Sequence, residues 1–314
     1  MSFLAVTLAV LFAINMGGSG MSPAFAAPFG AKAVGRRHAA LLFGIFVLLG
    51  AFLSGDRVVG TVSDGIVSQE FINTKVAFVI LLSATTSLFI ANLCRVSVST
   101  SSVTVFSLIS VGLYFRQLYL ATLAMVFSFW VALPVVAYIL TYILAKMLFP
   151  FEGRPWINKH QRLLKVFVVL TGCYVAYSIG SNNVANAVGP LVAADIVTEN
   201  MGILLIGPFF GVGGLLFRKI LHTVGQEITG IGLLGAAVNG IIIASLLLLS
   251  SAFGAPEPMV MLGAVSIMGI GSVSKGHKFI ATHQVVRKIF TLWVVSPLLS
   301  LVVTYLLLLL MHVK

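Results

Sequence analysis

This sequence is short of charge. Of its 314 residues only 9% are Asp, Glu, Lys or Arg, and 8 are acidic. Soluble domains carry roughly 25% charged residues, so most of this surface must face something other than water. Cysteine is scarce too. Cys94 and Cys173 lie in apolar stretches without metal-ligand spacing, which excludes a disulfide framework and leaves two small hydrophobes. The 6 histidines form no HxxxH or HxH pair, so no metal site is expected. No nucleophile–base pair and no nucleotide-binding loop stands out, which argues against an enzyme and against a cofactor. No Lys or Arg precedes the first apolar run, so it lacks the basic start of a signal peptide and reads as a first membrane helix.

What is there is long apolar sequence. Hydrophobic residues make up 59% of the chain. A membrane-crossing helix needs about 20 mostly apolar residues. The candidates are Met1–Asn15, Ala39–Ser54, Val76–Leu93, Leu118–Phe149, Leu163–Ile179, Gly202–Phe217, Gly230–Phe253 and Ile289–Met311. Some fall short of a span and some exceed one, so they are not all simple crossings. The net charge of +11 would suggest nucleic acid in a soluble protein. Here Lys and Arg sit at helix ends and loops, as membrane proteins place them, so no nucleic-acid partner is expected and the lipid bilayer is. Lys32, Arg36, Arg37 and His38 read as cytoplasmic, as do Lys275, His277, Lys278, Arg287 and Lys288. A positive field of this kind also raises the local anion concentration.

The chain repeats itself. A shift of 163 positions, which carries Gly17 onto Gly180, also carries Ala24 onto Ala187, Gly44 onto Gly207 and Gly50 onto Gly213. Trp130 then meets Trp293, Pro134 meets Pro297, and Thr141–Tyr142 meets Thr304–Tyr305. With 3 Trp and 10 Pro in the chain, coincident W-x-x-x-P motifs point to duplication rather than to the general recurrence of Gly and Leu in membrane helices. The repeats are residues 1–151 and 164–314, joined by 152–163. Paired repeats are common in secondary transporters, with substrate bound between them. Each half reads as three crossings if the pieces around Arg95–Ser102 form a re-entrant hairpin, and an odd number inverts the second half. Ser63 and Glu227 lie in matching loops and should then face opposite sides.

Polar, Gly-rich interruptions are costly in a membrane unless they line a cavity. The first runs from Asn15 to Pro23 and includes Ser19, Gly20 and Ser22; a helix break is expected near Asn15–Gly20. Its partner is Gly180–Ala187, with Asn182, Asn183 and Asn186. Free N–H groups at a helix start, together with Ser and Asn side chains, suit an anion. Close helix packing explains the small residues but not three Asn within five positions. The stretch Arg95–Ser102 holds a run of hydroxyls that includes Ser99, Thr100, Ser101 and Ser102, more than capping needs. Its second-half counterpart, Gly254–Pro258, has lost the hydroxyls and carries Glu257 instead. A carboxylate within a membrane domain is a functional candidate; the alternative is that it sits at the water boundary.

These breaks resemble those of the inorganic phosphate transporter (PiT) family, whose halves each carry Gly-x-Asn-Asp-Val-Ala-Asn-Ala. Gly180-Ser181-Asn182-Asn183-Val184-Ala185-Asn186-Ala187, followed by Val188-Gly189-Pro190, matches at nearly every position; Gly17 to Ala24 is a weaker copy. The family's Pro-Val-Ser-Thr-Thr-His tip is similar to Ser97-Val98-Ser99-Thr100-Ser101-Ser102, and the W-x-x-x-P helices resemble those ending each family half. The resemblance implies an inverted repeat whose two re-entrant hairpins meet at a central anion site, with motif aspartates binding sodium and hairpin hydroxyls holding phosphate. This chain departs at both aspartates, where it has Gly20 and Asn183, and at the hairpin histidine, which is Ser102. The second hairpin's Ser-Thr-Thr-His is not retained around Pro256–Met261. Phosphate near neutral pH keeps a proton that an aspartate can accept, whereas sulfate offers acceptors only and wants neutral donors. Sites built to match every ligand group discriminate strongly. The pattern is similar to the sulfate permease branch of the family.

The expectation is therefore an all-α polytopic protein of the cell membrane, two homologous halves in inverted topology with broken helices and re-entrant hairpins. It would import sulfate, or a related oxyanion, as a proton symporter by alternating access. Ser19, Gly20, Ser22, Asn182, Asn183, Asn186, Ser99, Thr100, Ser101 and Ser102 would bind substrate. Glu257 and Asp195 are the proton-coupling candidates, with Glu199 behind them; for Asp195 and Glu199 simple interfacial solvation is the competing reading. Sodium-coupled phosphate transport and a passive anion channel are the alternatives. A homodimer stays open.

Overall fold

The structure, a computed structural model, describes residues 1–93, 99–151, 159–216, 232–278 and 284–313, with the side chains of 91–93, 274 and 284–292 left aside. Cys94, Arg95, Ser97 and Glu227 lie outside the described residues, as do most of the connecting loop and the side chains of Arg287 and Lys288. Every regular element among the described residues is helical.

In the first half, α1 is Ser2–Gly30, α2 Arg36–Ser54, α3 the short Asp56–Gly60, α4 Thr74–Leu93, α5 Thr100–Phe115 and α6 Leu120–Leu148. In the second, α7 is Gln161–Asn183, α8 Ala185–Ala193, α9 Glu199–Ile206, α10 Pro208–Leu216, α11 Gly232–Ala252, α12 Met259–Lys275 and α13 Gln284–Leu310. Among the described residues, 7 helical stretches are long and apolar enough to cross a membrane. The shift of 163 maps α1 onto α7 with α8, α2 onto α9 with α10, and α6 onto α13. At 16 residues, α5 is about 24 Å long, less than the roughly 30 Å of hydrocarbon. It folds back against α4, and α12 does the same against α11. Each half thus carries one helical hairpin.

The halves are laced together through equivalent contacts. A Cβ at Gly17 would lie 2.1 Å from the Phe210 carbonyl oxygen, and one at Gly180 would lie 1.9 Å from that of Val47. A Cβ at Gly50 would meet the Tyr177 oxygen at 1.9 Å, and one at Gly213 the Ile14 oxygen at 2.0 Å. Both pairs obey the same shift with the halves exchanged, so α1 packs on α10 as α7 packs on α2. Backbone-to-backbone packing through small residues is how membrane helices associate without a hydrophobic drive between them. Along α1 and α7, Gly20 faces Ile179 while Gly172 faces Ala24, so these two equivalent helices run antiparallel. The turns that follow them match too. Lys32 and Asp195 are equivalent, exposed and left-handed, at φ 53° and 52°.

The break expected near Asn15–Gly20 is absent: α1 runs through it unbroken, with Pro23 and Pro28 inside. The glycines there serve close packing rather than interruption. In the second half the helix pauses for one residue, Val184, whose φ and ψ of −62° and −33° remain helical. Neither stretch therefore offers the fan of free N–H groups that a fresh helix start would give.

Candidate functional site

Polar atoms gather where the two hairpin tips reach the middle of the molecule. Asn182 and Asn186 stand one turn apart at the α7–α8 junction, both 0% exposed. Asn186 Nδ2 donates to Ser101 Oγ at 3.1 Å, on the first hairpin. Asn182 holds the second: its Nδ2 donates to the Ala255 oxygen at 3.0 Å and to Ser251 Oγ at 3.1 Å, and its Oδ1 accepts from the Glu257 N–H at 2.8 Å. One helical turn is about 5.4 Å, so the two tips are anchored to points about one turn apart on the same helical run.

The first tip is a capped helix start. Ser99 is the N-cap of α5; its Oγ accepts from the Ser102 N–H at 3.4 Å, and Ser102 Oγ donates back to the Ser99 oxygen at 2.9 Å. Ser99, Thr100, Ser101 and Ser102 are all buried. Capping occupies the first and last, leaving the middle of the run to other partners.

The second tip, Gly254–Pro258, is non-helical backbone between α11 and α12. Such backbone must be satisfied internally in a membrane, and side chains do it. The Ala255 oxygen accepts from Ser250 Oγ at 2.6 Å as well as from Asn182, and the Pro256 oxygen accepts from Trp130 Nε1 at 2.8 Å. Gly254 has φ +71°, and a Cβ there would meet Thr61 Oγ1 at 2.9 Å, so both conformation and space demand glycine. Outside this turn, Arg57, Thr61, Asp64, Met125, Phe253 and Gly254 line an open groove of about 410 Å³.

Against this satisfied backbone one group stands out. Glu257 is 0% exposed, and neither carboxylate oxygen has a hydrogen-bond partner. It does not sit at the water boundary. An unpaired buried carboxylate is expensive, which sets Glu257 apart from the hydrogen-bonded Ala255 and Pro256 oxygens beside it and makes it the candidate for contact with a ligand. Asn183 Oδ1, Asn186 Oδ1 and Ser22 Oγ are likewise buried without partners.

The other expected residues fall differently. Ser22 is buried on α1, and its hydroxyl has no hydrogen-bond partner. Ser19 is partly exposed, and its Oγ donates back to the Met16 oxygen at 3.0 Å. Gly20 packs on Phe43 and Ile179. Asp195 is not with the cluster. It is exposed at the left-handed turn after α8 and accepts from Gln69 Nε2 at 2.9 Å. Glu199 opens α9, partly exposed. The two sites that sequence reasoning missed are Ser250–Ser251, which brace the second tip, and Trp130, which it singled out only as a mark of duplication.

Residues 16–156 and 152–304 match the phosphate transporter family. The chain is 36% identical over 313 residues to the sulfate permease CysP of Bacillus subtilis (strain 168), a match spanning 98% of this chain and 87% of that one. It is 28% identical over 142 residues to inorganic phosphate transporter 2-1, chloroplastic, of Arabidopsis thaliana, over 41% of this chain and 24% of that one. A solved structure, the sodium-dependent phosphate transporter, is similar at a TM-score of 0.83 with 20% identity, over 99% of this chain and 98% of the other; that likeness shows the fold. Seven apolar spans in two repeated halves, gathered around buried polar hairpin tips, define a multi-pass transport protein of the cell membrane rather than an enzyme. The chain belongs to the phosphate transporter family.

Proposed function

We propose that this protein imports sulfate, coupled to protons, by alternating access. The observation that carries the reading is the pair of motif amides, each bonded to a different hairpin tip, beside a buried and unpartnered Glu257. Apart from Glu257 the site residues are neutral, with Asn183 and Gly20 where family motifs carry aspartate. That suits a dianion with only acceptor oxygens. Protonated, Glu257 offers an O–H to such an ion; ionised, it repels it. Proton and anion therefore load and leave together. Inward movement of a dianion against a negative-inside potential costs about 2.3 kcal/mol per charge per 100 mV, and each accompanying proton offsets one charge. The similarity to a protein named sulfate permease supports the choice of anion. The antiparallel course of α1 and α7, with the exchanged glycine contacts, supports an inverted repeat and hence two related openings.

One observation favours a second reading, sodium-coupled phosphate transport. The free Asn183 Oδ1, Asn186 Oδ1 and Ser22 Oγ are acceptors, which suit a cation. Uptake of labelled sulfate and phosphate into proteoliposomes under a proton gradient, a sodium gradient or neither separates the two. Proton-driven sulfate uptake with saturable counterflow is expected. Sodium-driven uptake that prefers phosphate would overturn the proposal, and unsaturable flux without counterflow would point to a channel.

A further inference from the structure

Trp130 makes a connection that the transport reading alone does not use. It lies on α6, the last helix of the first half, yet its indole N–H donates 2.8 Å to the Pro256 oxygen in the tip of the second half's hairpin, next to Glu257. On its other side it stacks with Phe106, on the inner helix of the first hairpin, at a centroid distance of 6.4 Å and 15° between planes. Phe127 meets the same indole edge-on at 5.2 Å. One buried side chain therefore touches both hairpins. The repeated W-x-x-x-P spacing adds a second point. Pro134 lacks the N–H that would bond the Trp130 carbonyl, because that bond spans four residues in a helix. Pro134 is within α6, so the helix is loosened at the residue that grips the tip, where proline-containing helices bend.

We propose that Trp130 is a positioning residue that couples the two hairpins: its N–H sets the tip that presents Glu257, and its ring follows α5. Movement of the first hairpin is thereby passed to the carboxylate of the second, with the proline four residues on supplying the bend. The assignment rests on the transport reading for its purpose but not for its geometry, and the two are tested apart.

The geometric test uses Ala255→Cys in a background lacking Cys94 and Cys173, in reconstituted full-length protein. Trp130→Phe keeps the stack and removes the N–H; Phe106→Leu keeps the N–H and removes the stack. Loss of the indole donor to the Pro256 carbonyl predicts about tenfold faster maleimide labelling of the tip cysteine in Trp130→Phe. Phe106→Leu should leave the labelling rate within about twofold but uncouple it from added sulfate, which slows labelling in the parent. In uptake assays Trp130→Phe should lower the maximal rate about tenfold with a sulfate KM changed less than twofold. Equal labelling in Trp130→Phe and parent overturns the assignment whatever ion is carried. So does a rate loss confined to KM, which would put Trp130 in ligand binding. Should Trp130→Phe not reconstitute, Phe106→Leu decides: sulfate-dependent labelling that survives in it also overturns the coupling. Failure of the sulfate–proton reading would show separately, as parent labelling that sulfate does not slow but phosphate does, with the faster labelling of Trp130→Phe intact and phosphate taking the place of sulfate in the Phe106→Leu arm.

Discussion

The two copies of the Gly-rich motif have kept the same packing and parted in chemistry. Gly17 and Gly180 are equivalent, and each accepts a backbone carbonyl of the opposite half where a side chain would be. In the residues that follow, the copies differ in polar chemistry. In the first, Ser19 bonds its own helix and Gly20 fills a contact with Phe43. In the second, Asn182 and Asn186 reach out to both hairpins. Duplication supplied a symmetric frame, and one side of it became the hub that holds the tips. Packing geometry is shared by necessity, since each glycine contact involves both halves; side-chain chemistry is free to concentrate in one.

The comparison breaks first at the glycines. Gly180→Leu and Gly17→Leu should be equally severe, each losing more than about 4 kcal/mol because a side chain cannot enter a space closed by backbone. Neither should yield monodisperse protein in detergent, whereas Gly60→Ala, with nothing within 4 Å of its Cβ, should purify normally. A functional Gly17→Leu would show the frame is not shared. Next come the polar positions. Asn182→Ala strips two hydrogen bonds from the second tip and a third from Ser251 beside it, and should cut sulfate uptake about a hundredfold, while Ser19→Ala should change it less than about twofold. Comparable losses would make the two motifs functional equals.

A smaller effect concerns charge. Asn183→Asp restores the acid the family motif carries and should reduce sulfate uptake about tenfold by repulsion, with phosphate becoming the better competitor. Glu257→Gln should bind sulfate within about twofold of the parent and lose about tenfold in uptake driven by a proton gradient. Persistent acceleration by that gradient would remove Glu257 from coupling. The smallest effect is silent in transport. Lys32→Cys and Asp195→Cys, at equivalent exposed turns, should leave uptake unchanged and label with an impermeant reagent from opposite membrane faces. This pair replaces Ser63 and Glu227, since Ser63 is buried. Labelling from one face would rule out inversion.

Much of the frame was legible in the sequence. Low charge and apolar runs disclosed the membrane, and Trp130/Trp293 with Pro134/Pro297 disclosed the repeat. Three asparagines in five positions marked the hub, because packing alone does not select amides. What stayed hidden depended on partners distant in the chain. A run of Gly and Ser reads as a helix break from residues 15 to 20, but Gly17 answers Phe210 and Gly20 answers Phe43 and Ile179, which no local pattern reveals. Likewise a lone acid in an apolar chain does not disclose its depth. Asp195 sits in an exposed turn while Glu257 is sealed inside, and the two proline neighbours of Glu257 were the local sign of difference. Trp130 was noticed as evidence of ancestry, and its bond to Pro256 could not be read from sequence because it joins residues 126 positions apart.

The exchanged glycine contacts also bear on how the chain is made. When residues 1–151 have left the ribosome, the backbone strips at Gly17 and Gly50 have no partner, for Phe210 and Tyr177 are still to be synthesised. Lipid must cover them in the interim. Assembly is therefore a late closure, completed only when α7 and α10 enter the bilayer. Each repeat leaves its glycine strips for the other to close, so fragments 1–151 and 164–314, produced as separate chains in one cell, should recover a compact particle only by finding each other.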